Sequence, residues 1–160
     1  MGAFVTVYNY LGFRLLAPPF ALPAGLVGLI FLGYLAGTWA STAAGRLGDR
    51  FGRRPVLWIS ALVALAGIWV TEPDSLVAVL AGLLLVTVGF FGAHSVASSW
   101  VGRRALRDRA QASSIYLCLY YLGSSVLGTA GGWFFAHSGW IGVVAFFATL
   151  YGLALIIALR

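Results

Sequence analysis

Gly45-Arg46-Leu47-Gly48-Asp49-Arg50-Phe51-Gly52-Arg53-Arg54-Pro55 is the stretch on which the reading of this chain turns. It packs four arginines and an aspartate between two long runs, 23–44 and 55–71, that hold no charge at all. The same contrast holds along the whole chain of 160 residues, which is 61% hydrophobic and 9% charged, against about 45–50% apolar and about 25% charged for soluble domains. Such a chain expects lipid as its solvent, and Gly45–Pro55 is then a charged connection between two membrane spans.

Outward from that connection, each apolar run approaches the length that crosses a hydrocarbon core as a helix, about 20 residues. Lipid satisfies no backbone polar group, so continuous apolar runs are helices. The expectation is an all-α membrane protein, one six-helix bundle over 1–160, with helices at 2–17, 23–44, 55–71, 75–101, 110–134 and 139–159. Pro23 and Pro55 stand where a first-turn proline is tolerated, and Asp74 or Ser75 can cap the fourth helix. The first run is short and begins at Met1 without a preceding loop, so the chain is expected to be cut at its front. Helices 1 and 4 both carry mid-span polar residues, Tyr8, Asn9, Tyr10 and Arg14 in one and His94, Ser95, Ser98 and Ser99 in the other. That pairing is what a 3+3 inverted repeat produces.

The net charge of +6 comes from ten arginines with no lysine, and their placement excludes a nucleic-acid groove. Arg46, Arg50, Arg53 and Arg54 follow helix 2, and Arg103, Arg104, Arg107 and Arg109 follow helix 4. The alternate connections hold no arginine. An excess of arginine marks cytoplasmic loops, so both clusters and both termini are expected in the cytoplasm. Cys118 is the single cysteine, which leaves no disulfide framework and no thiolate metal site; within its apolar run it reads as inert packing. No two carboxylates share a face, and His94 and Ser95 point in different directions on a helix, so no catalytic site, metal or cofactor is expected.

The stretch Gly45–Pro55 carries a pattern of glycine, three residues, aspartate, a basic residue, any residue, glycine, one residue and two basics, and it resembles the signature loop of the major facilitator superfamily. Tyr8-Asn9-Tyr10-Leu11-Gly12, Ala93-His94-Ser95-Val96-Ala97-Ser98-Ser99-Trp100 and Tyr120-Tyr121-Leu122-Gly123-Ser124-Ser125 extend the likeness to the carboxy-terminal half of bacterial drug/proton antiporters. The resemblance implies helices 7 to 12 of a twelve-helix transporter in the bacterial inner membrane, working by alternating access against a missing amino-terminal half or a second copy. It also implies export of small amphipathic molecules, coupled to protons. The gating residues would be Gly45, Asp49, Arg50, Gly52, Arg53 and Arg54, with Asp49 latching one side shut. Physically, the glycines allow a tight reversal, and Asp49 can reach a helix N-terminus, where the dipole favours it by roughly 0.3–1 kcal/mol. Topology setting and headgroup binding would account for the arginines alone, but not for glycines and aspartate in register.

Inside the spans, Arg14 is penalised by roughly 2.5–3.5 kcal/mol at a helix centre on insertion scales. Either it snorkels to the interface, or the four-residue row Thr6, Tyr10, Arg14 lines a cavity and meets a polar or anionic substrate group. His94, in the row Thr87, His94, Ser98, either carries a proton or is a neutral histidine bonded to a neighbour. Tyr116 and Tyr120 pair on helix 5. A substrate cavity between helices 1, 4 and 5 would thus draw on Tyr8, Asn9, Tyr10, Arg14, His94, Ser98, Tyr116 and Tyr120. The rows Gly33, Gly37, Ser41, Gly45 and Ser124, Gly128, Gly132 read as packing stripes. The competing reading is a non-transporting scaffold, or a half that works only after dimerisation.

Overall fold

The computed structural model describes residues 1–105 and 107–159; Arg160, counted above among the arginines, lies outside them. Every regular element among the described residues is helical. Helix α1 is Gly2–Leu16, α2 is Ala24–Phe51 with a 3-10 turn at Gly28–Leu32, α3 is Arg53–Val70 and α4 is Leu76–Arg104. The chain is then helical over Arg109–Leu159 but for Gly139 (φ 61°, ψ −147°), which divides it into α5 (109–138) and α6 (140–159). By length and composition four stretches can cross a membrane, Ala24–Phe51, Arg53–Val70, Leu76–Arg104 and Arg109–Ala158, the last of them long enough for two passes about Gly139.

Two expected connections prove to be helix. Residues 45–51 continue α2, because Arg46, Leu47, Asp49 and Arg50 have nothing against a helical backbone and the glycines among them cost only about 1 kcal/mol each. The chain breaks at Gly52 alone, where φ is 92° and ψ 149°, a region open essentially only to glycine. Residues 135–138 likewise continue α5, and the reversal into α6 is made by Gly139 alone. Gly45 is an ordinary helical residue with open space where a Cβ would stand. Ser75 occupies the N-cap of α4 without a side-chain cap bond, and Asp74 is engaged elsewhere.

Lipid tails give no hydrophobic drive between helices, so close packing on small residues and polar contacts must hold the bundle. Helix α1 lies on α5: side chains at Gly128, Gly131 and Gly132 would collide with Val5, Thr6 and Tyr10. Helix α3 lies on α4, where Gly67, Gly82 and Gly89 bring the two backbones together. Helix α2 lies on α4, with Gly37 under Phe91 and the Ser95 hydroxyl donating to the Ser41 carbonyl at 3.0 Å. The buried row on this part of α2 is Gly37, Ala40, Ala44 and Gly48 rather than the row ending at Gly45, since steps of four overshoot a 3.6-residue turn and walk off the seam.

Helices α3 and α6 run antiparallel. The Trp140 indole donates to the Thr71 hydroxyl at 3.0 Å at one end, and the Trp58 indole donates to the Ala158 carbonyl at 3.3 Å at the other. Exchanging α1 with α4, α2 with α5 and α3 with α6 maps the α1–α5 pairing onto α4–α2, and the break at Gly52 onto the break at Gly139. The core is Phe4, Leu11, Leu15, Ile68, Val86 and Phe147 among others, whereas Leu35, Trp39, Val77 and Ile157 face outward. Cys118 is exposed on α5 rather than packed.

Candidate functional site

Asp49 stands in the last turn of α2, and its Oδ1 accepts from the Arg53 guanidinium at 2.7 Å and from the Arg103 guanidinium at 3.4 Å. One carboxylate thereby joins the end of α2, the start of α3 and the end of α4. This differs from the expected seat on a helix N-terminus: α3 has no side-chain cap, and arginine side chains take the carboxylate instead. At Gly48 the end of α2 approaches both neighbours: a Cβ there would stand in ordinary contact, 3.6 Å from Arg53 Cγ and 3.7 Å from a Val96 methyl. The sequence reading passed over Gly48, although it lies four residues beyond Ala44 in a row of small residues. Of the other expected gating residues, Gly52 makes the break, Arg50 lies over the ring of Phe51 and Arg54 over that of Trp58.

The second feature is an open aromatic cavity of about 370 Å³ lined by α1, α3, α4, α5 and α6, its wall including His94, Tyr116, Tyr120, Trp58, Phe90 and Tyr151. His94 Nδ1 and the Tyr116 hydroxyl share a hydrogen bond of 2.9 Å. The His94 ring lies parallel to Phe90 within 7° and 4.5 Å from the Tyr120 ring. The hydrogen-bonded His94–Tyr116 pair thus stands on a largely apolar, aromatic wall. Tyr151 and Trp58 escaped the sequence reading because they stand on helices whose residues are otherwise almost uniformly apolar.

Of the eight expected cavity residues the structure gathers three, His94, Tyr116 and Tyr120. Tyr8 is buried in the core, its hydroxyl 2.7 Å from that of Thr87, which itself donates to the Leu83 carbonyl at 2.8 Å. Asn9 is exposed and shares a separate groove with Gly12, Phe13 and Phe31. Tyr10 stacks on Phe135 of α5 at 5.4 Å, and Ser98 donates to the Ser95 carbonyl of its own helix at 3.1 Å.

Arg14 is elsewhere altogether. Its side chain is only 9% accessible and pairs with Asp74 at 3.0 Å. It also donates to the Thr71 carbonyl, to Glu72 at 2.8 Å and to Pro73 at 3.2 Å, and it lies over the rings of Phe20 and Trp140. The row Thr6, Tyr10, Arg14 is therefore a packing face, since Thr6 is fully buried and donates to the Leu127 carbonyl at 3.1 Å.

An all-helical bundle with apolar outer faces and its charges gathered at helix ends defines a polytopic membrane protein. The chain belongs to the Major Facilitator Superfamily, whose model matches residues 1–160. It is 51% identical over 160 residues to the inner membrane transport protein YnfM of Escherichia coli K12, covering all of this chain and 38% of that protein. It is 45% identical over 144 residues to an MFS-type transporter, YybF, of Bacillus subtilis 168 (90% of this chain, 36% of that one), and 38% identical to a transporter of Buchnera aphidicola subsp. Schizaphis graminum (100% and 39%). The chain thus spans less than half the length of these relatives. No solved structure gives a significant match.

Proposed function

We propose that the chain is the carboxy-terminal six-helix half of a secondary transporter that exports small amphipathic molecules by alternating access, with proton coupling. The observation that carries this is the Asp49 junction, which ties three helix ends together through exposed ion pairs, each of a kind worth only about 0.2–1 kcal/mol. Contacts that weak can be broken and remade in each cycle, as a latch requires. The Gly52 and Gly139 breaks and the two exchanged helix pairings support a 3+3 inverted repeat, the frame on which such transporters rock. The arginine-rich ends of α2 and α4 face the cytoplasm in this reading, in a bacterial inner membrane.

Cargo enters the aromatic cavity, where Tyr116 and Tyr120 offer flat apolar walls and His94 is the candidate proton carrier. The missing half supplies the remaining wall and the membrane carboxylates. The test uses the full-length protein in proteoliposomes, with a panel of amphipathic fluorescent dyes and an imposed pH gradient. Gradient-driven dye movement that falls at least about tenfold in Asp49→Asn is expected, an effect of about 1.4 kcal/mol. Absence of movement for every dye under either gradient would remove the export reading. A His94→Gln protein that transports with unchanged pH dependence would remove the proton role.

A further inference from the structure

His94 stands on the cavity wall with its two ring nitrogens in different settings. Nδ1 shares the 2.9 Å hydrogen bond with the Tyr116 hydroxyl, while Nε2 makes no hydrogen bond among the described residues. No buried side-chain nitrogen or oxygen among those residues lacks a partner, so the unbonded Nε2 is an accessible atom of a ring that lines the cavity. The ring is also fixed in its plane. Phe90, one turn earlier on α4, lies parallel to it with centroids 5.9 Å apart, and the Tyr120 ring stands 4.5 Å away. We infer that Tyr116 is a positioning residue for proton exchange, holding Nδ1 so that Nε2 is the atom that takes and gives up the proton. The inference rests on His94 being the proton carrier of the transport cycle proposed above.

A neutral imidazole carries one hydrogen, and the partner of one nitrogen decides which of the two bears it. With the hydrogen on Nδ1, donated to the Tyr116 oxygen, the Nε2 lone pair meets the cavity as a base. A hydronium ion of cavity water then gives its proton to Nε2 and becomes water, and release reverses the step. The Nδ1–H bond to Tyr116 survives in both states and strengthens when the ring is charged, because charge-assisted hydrogen bonds are the stronger ones. A phenol suits the place, since its oxygen accepts from Nδ1 and its ring belongs to the apolar wall. A carboxylate there would favour the imidazolium by about 1–3 pH units and so retain the proton. The other titratable groups on this wall are Tyr120 of α5, Tyr151 of α6 and the Met1 amino group at the start of α1, while α3 brings Trp58, which does not titrate. No carboxylate or arginine lines the wall among the described residues, which leaves Tyr116 to set the ring.

The test is nitrogen-15 NMR of the full-length protein, labelled at its histidine ring nitrogens and held in lipid nanodiscs at alkaline pH, with the His94 signals identified by their loss in His94→Gln. The wild-type ring should carry its hydrogen on Nδ1. Tyr116→Phe keeps the aromatic wall and removes the hydroxyl, and its His94 should revert to the Nε2–H form that an unrestrained histidine prefers. In proteoliposomes the same variant should need a lower pH for half-maximal gradient-driven dye movement, by at least about half a unit, because the bond that favours the charged ring is gone. Its dye affinity should change by less than about threefold, so that the loss falls on the proton step and not on binding. Tyr121→Phe loses a hydroxyl on the same helix outside the cavity wall and should match the wild type in both readouts. A wild-type ring with its hydrogen on Nε2, or an equal acid shift in Tyr121→Phe, would overturn the proposal. Failure of every dye to move would remove the export reading, whereas the tautomer still decides what Tyr116 does to the ring. An Nδ1–H ring in a protein whose His94→Gln variant keeps its pH dependence would show the geometry correct and the proton role wrong, and the positioning role would fall with it. If Tyr116→Phe does not fold, the wild-type tautomer decides alone.

Discussion

Arg14 and Asp49 show how differently two charges can be held in one membrane protein. Arg14 is nearly enclosed and meets three carbonyls of the α3–α4 turn besides Asp74, whose side chain is 68% accessible. Hydrogen bonds to a charged group are worth about 1.5–3 kcal/mol each where they are shielded from water, while an exposed ion pair is worth about 0–1. Arg14→Ala should therefore lower unfolding stability by at least about 2 kcal/mol, and Asp74→Ala by less than about 1, measured by denaturant titration in detergent micelles; equal costs would show that the ion pair, not the carbonyls, holds the turn. Asp49 is the opposite case. It lies at a helix C-terminus, where the dipole opposes a negative charge by about 0.3–1 kcal/mol, and two exposed arginine contacts of similar size offset that. Asp49→Asn is expected to leave stability within about 1 kcal/mol of wild type in the same titration, so that a loss of transport in that variant cannot be put down to unfolding. Spacing in the sequence displayed Thr6, Tyr10 and Arg14 as one face, but spacing is silent on whether a face meets a cavity or a neighbouring helix, and this one meets α5 and the α3–α4 turn.

The helices themselves were legible where hydropathy decides them and misjudged where backbone conformation does. Apolar runs locate α1, α3 and α4 to within a few residues. The expected ends of α2 and α5 fall short of the true ones because charge at 45–51 and the short segment 135–138 with His137 read as connections, whereas a helix end needs a residue that leaves helical φ and ψ. That residue is Gly52 in one case and Gly139 in the other, both at positive φ with ψ near ±150°. Non-glycine residues in that region bear strain of order 1–3 kcal/mol. Gly52→Ala and Gly139→Ala should each lower stability by roughly that amount, whereas Gly45→Ala, in helix with open space around it, should be neutral or stabilising by up to about 1 kcal/mol. A Gly45→Ala cost equal to that of Gly52→Ala would mean that the break is shared along the stretch rather than concentrated at one residue. The cavity was legible only in part for a related reason: Tyr116 and Tyr120 stand one turn apart on α5, a spacing that signals a common face, but Trp58 and Tyr151 come from helices whose pattern is almost uniformly apolar.

For the whole molecule, the contacts at helix ends fix which connections share a side. Arg14 on Asp74 and Trp140 on Thr71 put the end of α1, the α3–α4 turn and the start of α6 together. Arg103 on Asp49 and Trp58 on Ala158 put the α2–α3 break, the end of α4 and the end of α6 together at the opposite end. Eighteen residues of α3 separate the two ends, about 27 Å at 1.5 Å per residue, close to the thickness of a hydrocarbon core of about 30 Å. The arrangement therefore requires residues 75 and 138 to open on one side of the membrane and residues 50 and 107 on the other. With Cys118 changed to serine, Ser75→Cys and Ser138→Cys should react with a membrane-impermeant maleimide in intact cells, and Arg50→Cys and Arg107→Cys only after the membrane is permeabilised. The arginine clusters set the sign of this expectation through the positive-inside rule, while the end contacts set the grouping. Two outcomes are thereby separable: exchange of the two groups would reverse the orientation and leave the bundle intact, whereas reaction of Ser75→Cys together with Arg50→Cys would mean that α3 does not cross.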